Sequence, residues 1–173
     1  MTRELLNRTK TEGFTLIELL VVISIIGFIS TLAVVALKDS RLKARDARRM
    51  SELKQIRTAL NMYFDSNPTI GFPSTNRACS ALCTSAGGFT GITCTAGSLT
   101  NWATLTTALE PYIIVPVDPS NGNPYCYVYD GDAGGSGFGL ATNLESNAAA
   151  ESADGGAYPG LYEVGPDITA AWW

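Results

Sequence analysis

With 173 residues, no histidine and a formal net charge of −4, the chain excludes a histidine-dependent hydrolase and gives no overall positive charge to draw it to nucleic acid. The charge is also divided: all twelve Lys and Arg lie between Arg3 and Arg77, while residues 78–173 carry nine carboxylates and no basic side chain. Two parts with different surroundings are implied, and the second has no cation with which to orient an anionic substrate or tune a nucleophile.

Residues 1–13 are polar with mixed charge. From Phe14 to Leu37 the chain is apolar for 24 residues, interrupted by a single ionisable side chain, Glu18. As a helix that run extends roughly 36 Å, enough to cross the hydrocarbon core with some tilt. A cleaved secretory signal is an alternative, since Arg3, Arg8 and Lys10 precede the run and Val34-Val35-Ala36 offers a cut site, but signal cores are usually ~7–15 residues long and carry no acid at their start. Thr15-Leu16-Ile17-Glu18 fits the capping box S/T-x-x-E, in which the carboxylate closes back on the helix N-terminus, where the helix dipole also favours an acid.

No Gly or Pro interrupts the chain between Leu37 and Pro68, and Leu53, Ile56, Leu60 and Tyr63/Phe64 recur at three- and four-residue steps. One helix from Phe14 to about Asp65 is predicted, with an apolar stripe on its second half over residues 38–66. The stretch Lys38–Arg57 holds eight basic and three acidic residues and reads as a solvated face, with Asp39–Lys43 and Asp46–Arg49 at the spacing of helical ion pairs. Lipid headgroups are one neighbour for such a face, acidic subunits another, and the acidic C-terminal domain of the chain itself is the internal partner; nucleic acid is not assigned, because clustering alone does not select phosphate.

After Pro68 the composition is that of a small, loop-rich, exported domain, residues 67–173. Its four cysteines, Cys79, Cys83, Cys94 and Cys126, read as two disulfides with three pairings open; zinc is the competing reading, disfavoured because no Cys-x-x-Cys knuckle is present. A helix is expected over Leu99–Leu109, with Asn101 as a candidate cap and Trp102, Leu105 and Leu109 on one face. Two antiparallel strands are expected in YCYVYD and FGLATNLE, joined by GDAGGSG, and a third near 160–164. The fold class is therefore α+β, a long N-terminal helix packed on a small antiparallel sheet.

Gly13-Phe14-Thr15-Leu16-Ile17-Glu18, with its short charged leader and about twenty following apolar residues containing Gly27, resembles the class III signal of type IV pilins and type II secretion pseudopilins. The basic helix ending in Tyr63-Phe64 and a polar turn extends the likeness. The resemblance implies that a membrane-bound prepilin peptidase and methyltransferase cuts after Gly13 and methylates Phe14, that residues 1–13 are lost, and that Glu18 pairs with the N-terminal amine of a neighbouring copy. The implied protein is a non-catalytic subunit of a pilus or secretion filament, held in the inner membrane with its N-terminus cytoplasmic, then assembled by the pilus or secretion machinery with copies of itself outside. Two features run against the pattern: Val35 stands where many relatives have proline, and the basic residues after Leu37 outnumber the three in the leader, which by the positive-inside rule favours the opposite orientation. The four cysteines favour the exported side.

VPVDPSNGNPYCYVYD further resembles the stretch at the start of the sheet in G-type pseudopilins, where a later loop binds calcium, and Asp118, Asp130 and Asp132 are the candidate oxygen ligands here. Asp-Gly-Asp is also ordinary turn chemistry. The alternative from another class is a single-pass anchored extracytoplasmic binding module that does not polymerise.

Overall fold

A computed structural model describes residues 13–83, 93–158 and 160–166. Residues 1–12 of the leader and the middle of the loop between Cys83 and Cys94 lie outside the described residues. The elements are α1 (Leu16–Ser66), β1 (Ala78–Cys79), α2 (Ala96–Leu109), β2 (Val128–Gly131), β3 (Phe138–Thr142), α3 (Ala148–Ala153) and β4 (Tyr162–Val164). The chain divides into two compact units between Asp39 and Ser40.

In the first unit every residue from Phe14 through Leu37 is exposed. The polar side chains within this run satisfy themselves locally: Ser24 donates to Leu20 O at 2.8 Å, Ser30 to Ile26 O at 2.7 Å and Thr31 to Phe28 O at 2.7 Å. No hydroxyl donor of these three is left over, which is what a helix surrounded by hydrocarbon requires. The run is long and apolar enough to cross a membrane.

The second unit is an antiparallel sheet in the order β1-β2-β3-β4, with register Ala78↔Tyr129, Tyr129↔Leu140 and Leu140↔Val164. Side chains alternate along β2 and the residues before it, and both faces are buried. Tyr127 and Tyr129, with Phe138 and Leu140 of β3, join Leu53, Ile56 and Leu60 of α1 and Trp102, Leu105 and Leu109 of α2 in the main core. Cys126, Val128 and Ala141 belong to a second cluster with Cys79, Cys83, Cys94 and Leu161. The stripe expected on α1 is thus the stripe that packs: Leu53, Ile56 and Leu60 are fully buried, with Tyr63 and Phe64 half-buried at its end.

The β2–β3 hairpin loop lies tightly on the chain after α1. Gly71 (φ 81°) and Gly135 (φ 67°) face each other so closely that a Cβ on Gly71 would stand 2.3 Å from Gly135 O, and Phe72 N–H donates to that same carbonyl at 2.9 Å. Neither glycine tolerates a side chain there.

Two local expectations are corrected. Helix α2 begins at Ala96 after an N-cap at Thr95, whose N–H donates to Ser98 Oγ at 3.2 Å; Asn101 sits a turn inside and turns its amide to the Arg77 and Asn76 carbonyls instead. Thr95 precedes a glycine and small polar residues, so no apolar period marked it as a boundary. The strand in YCYVYD starts only at Val128, although Tyr127 already aligns its ring with the core. Ala78–Cys79 also forms the short edge strand β1, two residues being too few to show an alternating pattern in the sequence.

Candidate functional site

At the start of α1, Thr15 and Glu18 close on each other. Glu18 Oε2 accepts from Thr15 N at 2.9 Å and from Thr15 Oγ1 at 2.8 Å, while Thr15 Oγ1 accepts from Glu18 N at 3.3 Å. Two of the helix's otherwise orphaned N-terminal donors are satisfied reciprocally, as the sequence pattern implies. Both bonds to the carboxylate use Oε2; among the described residues Oε1 has no donor. Around it, Phe14 is 85% exposed and Leu16 81%. An acid with one oxygen committed and one open among the described residues, on a helix whose described apolar side chains are all exposed from Phe14 through Leu37, is suited to receive a cation from another molecule.

In the second unit the basic stretch meets the acidic C-terminal part, the internal partner expected for it, but one of its members is buried, which the sequence did not show. Arg49 is completely buried, and its guanidinium donates to Asp118 Oδ2 at 2.6 Å through Nε, to Asp46 Oδ1 at 3.0 Å and Glu145 Oε1 at 2.6 Å through Nη1, and to Ser120 Oγ at 3.1 Å through Nη2. It also lies over the Tyr125 ring, 4.6 Å from the centroid. The carboxylates are satisfied on their other sides. Asp46 accepts from Glu145 N at 2.7 Å and Ser146 N at 2.8 Å, and Asp118 from Ser120 N at 2.7 Å. Arg45 forks onto Glu145, and Arg48 pairs with Glu52, which also accepts from the Tyr127 hydroxyl. This cluster clamps the loops around Asp118 and Glu145 to one face of α1.

The reading of the basic stretch as a solvated face is therefore corrected for Arg49, because a buried guanidinium with three carboxylates around it is the lining of an interface within the head. Asp46–Arg49 is an ion pair as spaced, but a buried one; Asp39 and Lys43, the other expected pair, form none. Sequence held one usable signal: the acids of residues 78–173 have no cation of their own to pair with, and most of the basic residues of the chain lie on α1.

Arg45, then Arg49, hold the Glu145 carboxyl below its usual range. A carboxylate depressed in the folded state contributes stability that is present above its unfolded value near 4.5 and lost as pH falls through the lower folded value. Burial raises the Asp130 and Glu151 carboxyls, which titrate with the opposite sign, so the clean measurement is a difference. The gap in melting temperature between the native chain and Glu145→Gln is expected to be widest near neutral pH and to narrow as the pH falls below the ordinary glutamate value of 4.5.

The three aspartates named as calcium ligands do not form one site. Asp118 is committed to Arg49. Asp130 is buried in β2, its carboxyl raised by desolvation against a backbone hydrogen bond from Arg77. Asp132 caps the hairpin turn, accepting from Ser136 Oγ at 2.5 Å. The residues thus do not fit the ion; among the described residues the one convergent group of metal-type ligands is Cys83, Cys94 and Cys126. Those sulfurs are paired as disulfides, Cys79–Cys94 and Cys83–Cys126, which selects one of the three open pairings and displaces the zinc reading. Adding EDTA to the folded chain is accordingly expected to leave its melting temperature unchanged within about a degree, whereas a calcium-held loop would lose several degrees.

Residues 8–34 match the family model for the prokaryotic N-terminal methylation motif. The chain is 32% identical over 130 residues to the type II secretion system core protein G of Pseudomonas aeruginosa, covering 75% of this chain and 81% of that protein. It is 37% identical over 76 residues to the protein of the same name in Pectobacterium carotovorum and 37% over 73 residues to that of Escherichia coli. In these last two the chain spans about half the relative's length, 47% and 49%. No solved structure gives a significant match. The chain belongs to the family of type IV pilins and type II secretion pseudopilins, structural subunits that begin with an apolar helix preceded by a processing motif. Within that family, the proteins it is similar to here are core protein G.

Proposed function

We propose that this protein is a subunit of a type II secretion-like pseudopilus. It is made as a precursor, cut between Gly13 and Phe14, methylated at Phe14 and polymerised through residues 14–37, with residues 38–66 carrying the head formed by 67–173. The observation that carries the reading is the start of α1: an exposed apolar surface, with a carboxylate that retains an open oxygen among the described residues. An ionised acid in hydrocarbon costs roughly 2.5–3.5 kcal/mol on insertion scales, and an ammonium supplied by the neighbouring Phe14 offsets that cost only once two copies are in register. The names of the relatives favour a secretion pseudopilus over a type IV pilus. Two disulfides favour a head on the oxidising side of the inner membrane, with the N-terminus cytoplasmic. Three of the cations that oppose this orientation by simple counting, Arg45, Arg48 and Arg49, are neutralised by pairing in the folded head.

The reading is tested by expressing the full chain with a secretion assembly system, with and without the prepilin peptidase, and shearing the cells. Filaments containing the chain are expected only with the peptidase. Their absence in both cases, with the chain stably inserted, contradicts polymerisation and favours the anchored binding module.

A further inference from the structure

Cys83 and Cys94 belong to different disulfides, yet their sulfurs lie 3.3 Å apart. Cys126 joins them, the sulfurs of Cys83, Cys94 and Cys126 all lying within 4.8 Å of one another. The backbone brings this about. Cys94 N–H donates to Cys83 O at 2.9 Å, so the two Cα atoms are at most about 7 Å apart, the outer limit for a disulfide. All four cysteines are 5% exposed or less, so a thiolate released among them meets the neighbouring disulfide before it meets another molecule.

Both native pairs tie this junction to the sheet. Cys79–Cys94 joins β1 to the residue before the N-cap of α2, and Cys83–Cys126 joins the chain after β1 to the residues leading into β2. A bond between Cys83 and Cys94 would close only the loop between them, and both ties would be lost.

We propose that the four cysteines form a relay, in which two-electron reduction of either native disulfide ends at one product: Cys83 bonded to Cys94, with Cys79 and Cys126 as thiols. When a dithiol reduces Cys79–Cys94 and is itself oxidised to its disulfide, Cys94 is left as a thiol. Its thiolate attacks Cys83 Sγ. The Cys94–Cys83 bond forms, the Cys83–Cys126 bond breaks, and Cys126 leaves as a thiolate that takes up the proton Cys94 shed. When Cys83–Cys126 is reduced first, the Cys83 thiolate attacks Cys94 Sγ and Cys79 leaves in the same way. The exchange conserves the number of disulfides, so one dithiol per chain is enough. Contact at 3.3 Å holds attacking and attacked sulfur at reacting distance, which replaces a bimolecular encounter with an internal one. A single reducing event thereby detaches the junction from β1 and β2 together, where two independent disulfides would lose one tie at a time. The relay stands independently of the filament reading.

The test uses the oxidised full chain in detergent with one molar equivalent of a water-soluble phosphine at about pH 8, where cysteine is partly thiolate. The phosphine supplies the two electrons and leaves as its oxide. Acid then stops exchange by protonating the thiolates, N-ethylmaleimide marks free thiols, and peptide mapping reads the pairs. Among chains with one disulfide, Cys83–Cys94 with labels on Cys79 and Cys126 is expected to exceed each native pair about tenfold or more. One-disulfide chains that keep mainly Cys79–Cys94 or Cys83–Cys126, or passage straight to four thiols, overturn the relay. The mapping uses the native chain, so it does not depend on a variant that folds.

Discussion

Glu18→Gln is expected to leave the precursor inserted and cut after Gly13, yet to reduce filament yield about a hundredfold. The size follows from the pairing: roughly 2.5–3.5 kcal/mol of exposure cost is offset on docking, and each 1.4 kcal/mol is a factor of ten. Glutamine is the informative replacement because it can still close the capping box with Thr15, as glutamine does in such boxes, while it cannot attract an ammonium. Glu18→Ala removes both roles and costs about 1 kcal/mol more at the helix end. If the carboxylate mattered only as a cap, Glu18→Gln would assemble like the native chain and Glu18→Ala alone would fail. Sheared-filament yield, with processing followed on the same samples, distinguishes the two.

Arg49→Ala is expected to destabilise the head by about 3–5 kcal/mol, the usual consequence of leaving buried carboxylates without their cation. Asp118 and Asp46 would remain in an interior with their backbone donors but no counter-charge. Against a total stability of roughly 5–15 kcal/mol, such a loss unfolds a substantial fraction of the protein. Arg45→Ala is the control: its guanidinium is 36% exposed, and its loss should cost about 1 kcal/mol or less. Urea unfolding of the detergent-solubilised full chain, followed by the fluorescence of buried Trp102, measures both. Equal and small effects would show that Arg49 is not the clamp.

The sequence displayed the long helix plainly, because an unbroken apolar run followed by Leu53, Ile56 and Leu60 at helical spacing allows few alternatives. The hairpin was equally visible, since Tyr127 and Tyr129 alternate with Cys126 and Val128 and a glycine-rich loop follows. What periodicity cannot report is pairing across distance. Arg49 meets Asp118 from 69 residues away, and nothing in the local pattern separates it from Arg48, which stays exposed one position earlier. The same limit governs the cysteines: four in a small domain indicate disulfides, but only the fold selects which sulfurs meet. Asp118 was misread for this reason, as a hard-metal ligand when its partner was a cation on α1. The start of the helix was the most legible site because its chemistry is local, Thr15 and Glu18 lying three residues apart.

Intact-mass measurement of the protein extracted from membranes of cells containing the prepilin peptidase bears on the central claim most directly. The account predicts a chain that lacks its first thirteen residues and carries one additional methyl group on Phe14. A mass corresponding to the uncut chain, in cells whose peptidase processes its other substrates, would contradict it.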